Sequence, residues 1–226
     1  MALHEIQQQI LSELITHPVR RFSELKGNYL EGSHFMYHLE KLIGTELVLK
    51  TKEGYSLTPK GQRFVNRLSF PDLKNRIQPK IAMLVAIENR QGEFLLYLRA
   101  RHPLIGLVGL PYTFISRGVA VKETAEKDMK KITGISSKLT HRGDVYITTY
   151  AGKELAAEIY CHIFYGREGG GKLIENSSIG KLFWGKAGEL KSNEYLPGFL
   201  DIVKMLKKSA GGRTAKHFFA ELTYRI

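Results

Sequence analysis

The hydrophobic pattern of the chain changes its period between residues 69 and 79, and this change limits the folds open to the whole chain. Before this segment, apolar residues recur three and four positions apart, which is typical of amphipathic helices. After it, apolar residues form short runs bounded by turn residues, which predicts strands. The segment itself contains two prolines and has no regular period. We therefore predict two domains, at 1–70 and 80–208, with a linker at 71–79 and a basic C-terminal tail at 209–226.

The composition excludes several classes of protein. Of the 226 residues, 43% are hydrophobic and 25% are charged, as in globular rather than disordered chains. The single cysteine, Cys161, excludes a disulfide scaffold and a zinc site built from cysteines, and its apolar surroundings predict a core position. The first residues lack the apolar core of a signal peptide, and no apolar run approaches the ~18 residues that cross a bilayer. We expect a cytoplasmic protein without a membrane partner.

The net charge favours a polyanionic partner. Lys and Arg number 34 against 22 Asp and Glu, which gives +12 and favours nucleic acid, a phosphorylated ligand or an anionic membrane face. Residues 1–78 contain 11 of these cations and 8 of the anions, a net of only +3. Net charge alone therefore does not locate a nucleic-acid site.

The first domain is predicted to contain helices and one hairpin. The expected elements are helices at 6–15, 22–26 and 33–43, hairpin strands at 47–50 and 55–57, and a fourth helix after 58–59. Ser33 is the expected N-cap of the third helix, and Gly44 lies near its C-cap.

This order of elements, with Ser33-His34-Phe35-Met36-Tyr37-His38-Leu39-Glu40-Lys41-Leu42 and the hairpin after it, resembles the winged helix-turn-helix of bacterial and archaeal regulators. The resemblance implies that the third helix enters the DNA major groove while the hairpin touches the backbone or the minor groove. It also implies a homodimer, because most such regulators read two half-sites.

A polar stripe on the third helix supports this interpretation. His34, Tyr37, His38 and Lys41 recur at helical spacing, opposite the apolar face. The predicted DNA-binding residues are Arg20, Arg21, Ser33, His34, Tyr37, His38, Lys41, Lys50 and Lys52. Two other interpretations stay open, an ordinary solvated face and a surface that binds another protein. His34 and His38 have the spacing of a zinc pair, but the sequence offers no convincing third ligand.

Residues 78–195 contain a series of features in a fixed order. These are strands at 80–88 and 94–99, His102-Pro103, Gly109-Leu110-Pro111, a helix at 121–133 closed by Gly134, and Phe183-Trp184. This arrangement resembles the Nudix hydrolase family. The resemblance implies an α/β/α sandwich with a mixed sheet, and hydrolysis of nucleoside diphosphate derivatives by a divalent metal that glutamates hold. The predicted fold class is thus α+β with two domains, a winged helix-turn-helix followed by this sandwich.

The segment that matches the Nudix box lacks the family's metal ligands. Lys131 and Ile132 stand where the two adjacent metal-binding glutamates belong. Because Mg²⁺ requires hard oxygen ligands, we predict no catalytic residues, no metal ligands and no cofactor. The alternative is a hydrolase that holds Mg²⁺ at a non-standard site, with Glu123 or Asp128 as candidates. Glu126 is expected to pair with Lys130 instead.

Cations on the same segments can bind phosphate directly. The predicted ligand-binding residues are Arg99, Arg101, Arg117, Lys127 and Lys131, and the other interpretation is a set of solvated cations around a vestigial cleft. The combined hypothesis is a transcriptional regulator that binds double-stranded DNA and whose second domain senses a nucleotide or nucleotide sugar or mediates dimerisation. The rivals are the hydrolase and a protein-interaction scaffold.

Overall fold

The computed structural model describes residues 3–27, 32–69, 73, 78–210 and 216–226. The chain divides into two compact units, Met1–Gln78 and Pro79–Ile226, which we call unit 1 and unit 2. Most of the segment 71–79, the predicted linker, lies outside the described residues.

Unit 1 has the predicted order of helices and hairpin. Its elements are α1 (Glu5–Thr16), α2 (Phe22–Lys26), α3 (Gly32–Gly44), β1 (Val48–Lys50), β2 (Tyr55–Leu57) and α4 (Pro59–Val65). The two strands form an antiparallel hairpin, and Arg20 extends it through backbone hydrogen bonds of 3.0 and 2.8 Å with Tyr55. Ser33 lies inside α3 rather than at its N-cap, since the helix begins one residue earlier than expected.

The core of unit 1 joins the apolar faces of α1 and α3. Ile10, Leu11, Phe35 and Leu39 are fully buried in one cluster, as their helical spacing predicts. The start of α4 is fixed to the segment just before β1, because the Thr58 hydroxyl donates to the Glu46 carbonyl at 2.6 Å. The same hydroxyl caps α4 by accepting from Gly61 N–H at 2.9 Å. α4 therefore begins very close to the backbone that leads into this strand.

Unit 2 is built around one mixed sheet. Its strands are β3 (Lys80–Glu88), β4 (Phe94–Arg99), β5 (Val108–Gly109), β6 (Tyr112–Phe114), β7 (Thr140–Ala151), β8 (Glu154–Arg167), β9 (Asn176–Ser177), β10 (Gly180–Gly185) and β11 (Phe218–Arg225). The order across the sheet is β11-β7-β8-β3-β4-β10-β9, with β5 on β4 and β6 on β3. β7 is parallel to β11 and β3 is parallel to β8, while the other pairs are antiparallel.

A helix covers each face of this sheet. On β3 and β4, alternate residues belong to two different clusters, because successive side chains of a strand point to opposite faces. One cluster includes Ala125 and Met129 of α5 (Val121–Thr133), and the other includes Ile202 and Leu206 of α6 (Phe199–Ala210). The bounds of α5 and its left-handed cap at Gly134, with φ of 76°, agree with the prediction.

The described residues of the predicted tail 209–226 include parts of a helix and a strand of unit 2, which corrects the prediction. Ser209 belongs to α6, and β11 pairs in parallel with β7 along eight residues. Alternate residues from Phe218 to Tyr224 are partly buried while those between them are exposed. This alternation is the pattern of a half-buried strand, and the sequence itself shows it. The prediction of a tail rested instead on the basic residues of the segment. No helix within the described ranges is long and apolar enough to cross a membrane.

Candidate functional site

Unit 2 contains a cavity of about 610 Å³ beside the ends of β4 and β6. Its wall combines aromatic and aliphatic side chains with three cations, and Glu158 is the one carboxylate among the described lining residues. The lining residues used below are Lys80, Tyr97, Arg99, Arg101, Tyr112, Phe114, Glu158 and Cys161. An apolar cavity with a few placed charges is the usual form of a small-molecule site.

Arg99 fixes the loop at the mouth of the cavity. Its Nε donates to the Pro103 carbonyl at 2.5 Å, and its Nη2 lies 3.4 Å from the His102 carbonyl. Its Nη1 donates to the Tyr97 hydroxyl at 3.4 Å. Burial raises the pKa of Tyr97, which keeps this hydroxyl protonated at neutral pH. Nε, Nη1 and Nη2 of Arg99 are thus already engaged with other groups of the protein.

Arg101 is the more available cation. Its side chain is exposed, and its guanidinium donates to the Tyr112 hydroxyl and lies 5.8 Å from the Tyr112 ring centroid. The Tyr112 ring also lies 5.7 Å from Tyr97 and 5.6 Å from Phe114. The arrangement places a guanidinium with free N–H donors beside an aromatic wall, which suits a ligand with a phosphate and a planar ring.

The other three predicted ligand residues do not line this cavity. Arg117 is exposed in the segment before α5, and Lys127 and Lys131 are exposed on that helix. The helix turns Ala125 and Met129 towards the sheet, so its cations point to solvent. Lys80 lines the cavity and was missed, because it stands alone at the start of a strand without a motif.

Two carboxylates of α5 are engaged in separate interactions within the protein. Asp128 Oδ2 accepts a hydrogen bond of 2.6 Å from the Thr113 hydroxyl. Glu126 Oε1 accepts from Leu139 N–H at 2.9 Å and lies 3.8 Å from Lys122 Nζ, so the predicted pairing with Lys130 is wrong. Within the described residues, neither side chain belongs to a group of three or more His, Cys, Asp or Glu with metal-binding spacing.

On α3, the structure separates His38 from the rest of the predicted stripe. His34, Tyr37 and Lys41 are exposed, and Lys41 Nζ lies 4.7 Å from the Tyr37 ring centroid. His38 is only 6% exposed, and its ring stacks on His4 with centroids 4.0 Å apart. The N-terminus of α1 therefore covers His38, a contact between distant segments that helical spacing cannot reveal.

The remaining predicted DNA contacts differ in availability. Arg21, Ser33, Lys50 and Lys52 are exposed. Arg20 is half-buried, with Nη2 2.7 Å from His17 Nε2 and 3.4 Å from a Glu13 carboxylate oxygen. A second carboxylate, that of Glu24, lies 3.7 Å from Arg20 Nη1. Unit 1 itself therefore compensates the charge of Arg20.

Acidification is expected to destabilise unit 1 through His38. Burial lowers the pKa of His38 below its ordinary value of 6.5, and the neighbouring His4, His34 and Lys41 lower it further. The unfolded chain then binds more protons, so the stabilisation is complete above about pH 6.5 and declines as the pH falls below that value. Hydrogen exchange of α1 and α3 amides between pH 7.5 and 5.5 measures this decline. His38→Phe keeps an aromatic ring and should flatten the dependence, and an unchanged slope would contradict the assignment to His38.

Comparison with known proteins separates the two units. The family model described as a domain of unknown function, DUF7347, matches residues 2–68, and no curated protein matches the chain. Among solved structures, a MutT protein from Bacillus halodurans is 19% identical, with a TM-score of 0.51 over 65% of this chain and 90% of its own. The Nudix domain of NrtR from Shewanella oneidensis, in complex with ADP ribose, is 12% identical, with a TM-score of 0.51 over 67% and 98%. A Nudix hydrolase from Nitrosomonas europaea is 12% identical, with a TM-score of 0.50 over 62% and 93%.

Unit 2 has a Nudix-like fold. The helix α5 stands where the sequence resemblance places the Nudix box helix, with Gly134 at its end. At these identities the likeness concerns the fold and carries no activity with it. The Nudix-like fold of unit 2 therefore supplies the frame of the cavity, and its chemistry depends on the residues described above.

Proposed function

We propose that the protein is a DNA-binding regulator whose Nudix-like unit 2 binds a nucleotide ligand. The observation that carries the proposal is a combination in unit 2. The Arg101 guanidinium lies beside an aromatic wall, and no described carboxylate of α5 belongs to a group of three or more residues with metal-binding spacing. The first favours binding of a phosphate and a planar ring, and the second disfavours metal-dependent hydrolysis. ADP ribose is the first probe, since the Nudix domain of NrtR was crystallised with it.

Unit 1 is the proposed DNA-binding part, a winged helix-turn-helix. Its exposed Tyr37 and Lys41 lie on α3, and exposed Lys50 and Lys52 lie on the hairpin that follows. A helix with such residues can enter the major groove while lysines of a hairpin contact phosphates. Since two such helices read half-sites about one DNA turn apart, we propose a homodimer. For the ligand to control DNA binding, ADP ribose must bind more tightly to one of two conformations, the one that binds DNA or the one that does not.

Arg101→Ala is expected to weaken ADP ribose binding about 10- to 100-fold. A charge-assisted hydrogen bond contributes about 1.5–3 kcal/mol, and each 1.4 kcal/mol changes Kd tenfold. Isothermal titration calorimetry of the full chain measures the change. Arg117→Ala is the matched control, because it removes an equal charge from an exposed position outside the cavity. Equal affinities of both variants, or Mg²⁺-dependent hydrolysis of ADP ribose by the unmodified protein, would overturn the proposal for unit 2.

Lys52→Ala is expected to reduce the salt dependence of DNA binding. Selection from a random duplex pool at near-physiological salt first supplies the DNA, and a palindromic motif would support the dimer. One lost phosphate contact lowers the slope of log K against log salt concentration by about 0.9. Lys153→Ala, which removes the same charge from the turn between β7 and β8, should leave the slope unchanged. Recovery of no motif, or equal slopes for both variants, would count against DNA recognition by unit 1.

A further inference from the structure

Two histidines and an aspartate meet on β7 and β8, outside the residues that line the cavity. Asp144 Oδ1 lies 2.6 Å from His162 Nδ1 and 3.1 Å from His141 Nε2. One ligand atom from each of the three side chains lies within 4.8 Å of the others. In the described part of the chain, this is the one group of His, Cys, Asp and Glu with such spacing.

A β-bulge brings these side chains onto one face of the sheet. Asp144 is directly opposite His162, so the two side chains share a face. His141 precedes Asp144 by three positions and would point to the other face in a regular strand. The register shifts between His141 and Gly143, which leaves Arg142 without a direct partner and sets His141 opposite Phe164. Because Phe164 and His162 are two residues apart, His141 joins the face of the other two.

The packing around the group holds the rings in place. The side chains of His141, Asp144 and His162 are 35%, 26% and 27% exposed, so an ion from solvent can reach them. The His141 ring lies 5.4 Å from Phe164 and 5.2 Å from His217, between ring centroids. The guanidinium of Arg142 lies over Tyr165 instead, 5.4 Å from its ring centroid. Tyr165 alternates with His162 and Phe164 along β8 and lies on the opposite face, which keeps this cation away from the group.

The donor set fits a transition metal better than Mg²⁺. Imidazole nitrogens with one carboxylate oxygen suit Zn²⁺ and its neighbours in the first transition row, whereas Mg²⁺ takes oxygen ligands. With bonds of about 2.0–2.1 Å, tetrahedral ligands lie roughly 3.3 Å apart. The observed separations are 2.6 and 3.1 Å, so the first must widen by about 0.7 Å and the second by about 0.2 Å. Half-exposed side chains can make that change.

We propose that His141, Asp144 and His162 form a binding site for a divalent transition-metal ion of the Zn²⁺ class. The site is independent of the proposed nucleotide cavity and of the Nudix box helix, since none of its residues belongs to either. Three protein ligands leave a position for water or a further group.

The test uses the full chain, stripped of metal with a chelator and titrated with Zn²⁺ by calorimetry, with Co²⁺ absorption as a second readout. We expect one tight equivalent per chain and a visible tetrahedral Co²⁺ spectrum. His162→Ala should weaken Zn²⁺ binding at least a hundredfold. Loss of a residue that only hydrogen-bonds to a metal ligand already lowers metal affinity 10- to 100-fold. Asp144→Asn preserves the shape of the side chain and should also weaken Zn²⁺ binding and change the Co²⁺ spectrum. This second variant keeps the test valid if His162→Ala does not fold.

His17→Ala is the control, because it removes a partly exposed histidine from unit 1 and should leave the affinity unchanged. Absence of a stoichiometric site would show that the three residues form only a hydrogen-bonded network. Undiminished Zn²⁺ binding by His162→Ala and Asp144→Asn would place the ion elsewhere. Either result overturns the proposal.

Discussion

Gly61→Ala is expected to destabilise unit 1 by about 3 kcal/mol or more, which raises the fraction of unfolded unit 1 more than a hundredfold. A Cβ at this position would lie 2.0 Å from the Leu47 carbonyl oxygen and 2.9 Å from its carbon. The neighbouring atoms belong to backbone, which cannot rotate away as a side chain can. The Thr58 N–H also donates to the same carbonyl at 3.1 Å, so α4 cannot move away from Leu47 without losing this bond at its start.

Hydrogen exchange by mass spectrometry measures this effect separately in each unit. Amides of α1 and α3 should exchange about a hundredfold faster in Gly61→Ala, and DNA binding should fall with them. Gly44→Ala is the control of opposite sign, because no atom of the described residues lies within 4 Å of its added Cβ and alanine favours helix by up to ~1 kcal/mol. If the amides of α1 and α3 exchange at equal rates in both variants, the close approach of α4 to the Leu47 backbone is wrong.

Cys161 is expected to react with thiol reagents about a thousandfold more slowly in the folded protein than in the unfolded chain. Burial raises the pKa of the Cys161 thiol to about 12, and the thiolate is the species that reacts. Its side chain is 1% exposed, which restricts access further. Because the chain contains one cysteine, a simple colour reaction with an aromatic disulfide reports this residue alone.

The matched measurement is the same reaction in denaturant, where the ordinary thiol pKa should be restored. Equal rates in the two conditions would show that Cys161 is accessible and acidic, contrary to its position in the sheet. A protected thiol also bears on function. Cys161 lines the cavity but stays protonated at neutral pH, so it contributes apolar wall rather than a nucleophile.

Much of the fold could be predicted because its signals are local. The bounds of α5 follow from an apolar face with Ala125 and Met129 and from Gly134, which alone among its neighbours takes the left-handed cap without strain. Cys161 was expected in the core from the apolar residues around it, and this is confirmed. Strand β7 runs from Thr140 to Ala151, and its polar ends are held by pairing to β8, which no local pattern of the sequence reveals.

The candidate sites were less predictable because they depend on contacts between distant segments. The sequence placed cations near a ligand cleft, but only Arg99 and Arg101 among the five reach the cavity, since α5 turns its lysines outward. His38 is buried because His4 covers it from another helix. The face that His141 shares with Asp144 depends on one bulged residue, and a bulge has no reliable sequence signal.

The hydrogen bonds from Arg99 to its own loop have a consequence for the thermodynamics of binding. Ordering a loop or a long side chain when a ligand arrives reduces affinity, because each immobilised side chain costs about 0.5–1.5 kcal/mol. Here the carbonyls of His102 and Pro103 already contact the Arg99 guanidinium before any ligand binds. The mouth of the cavity is thus preorganised. Binding of a ligand does not have to offset the free-energy cost of ordering that loop.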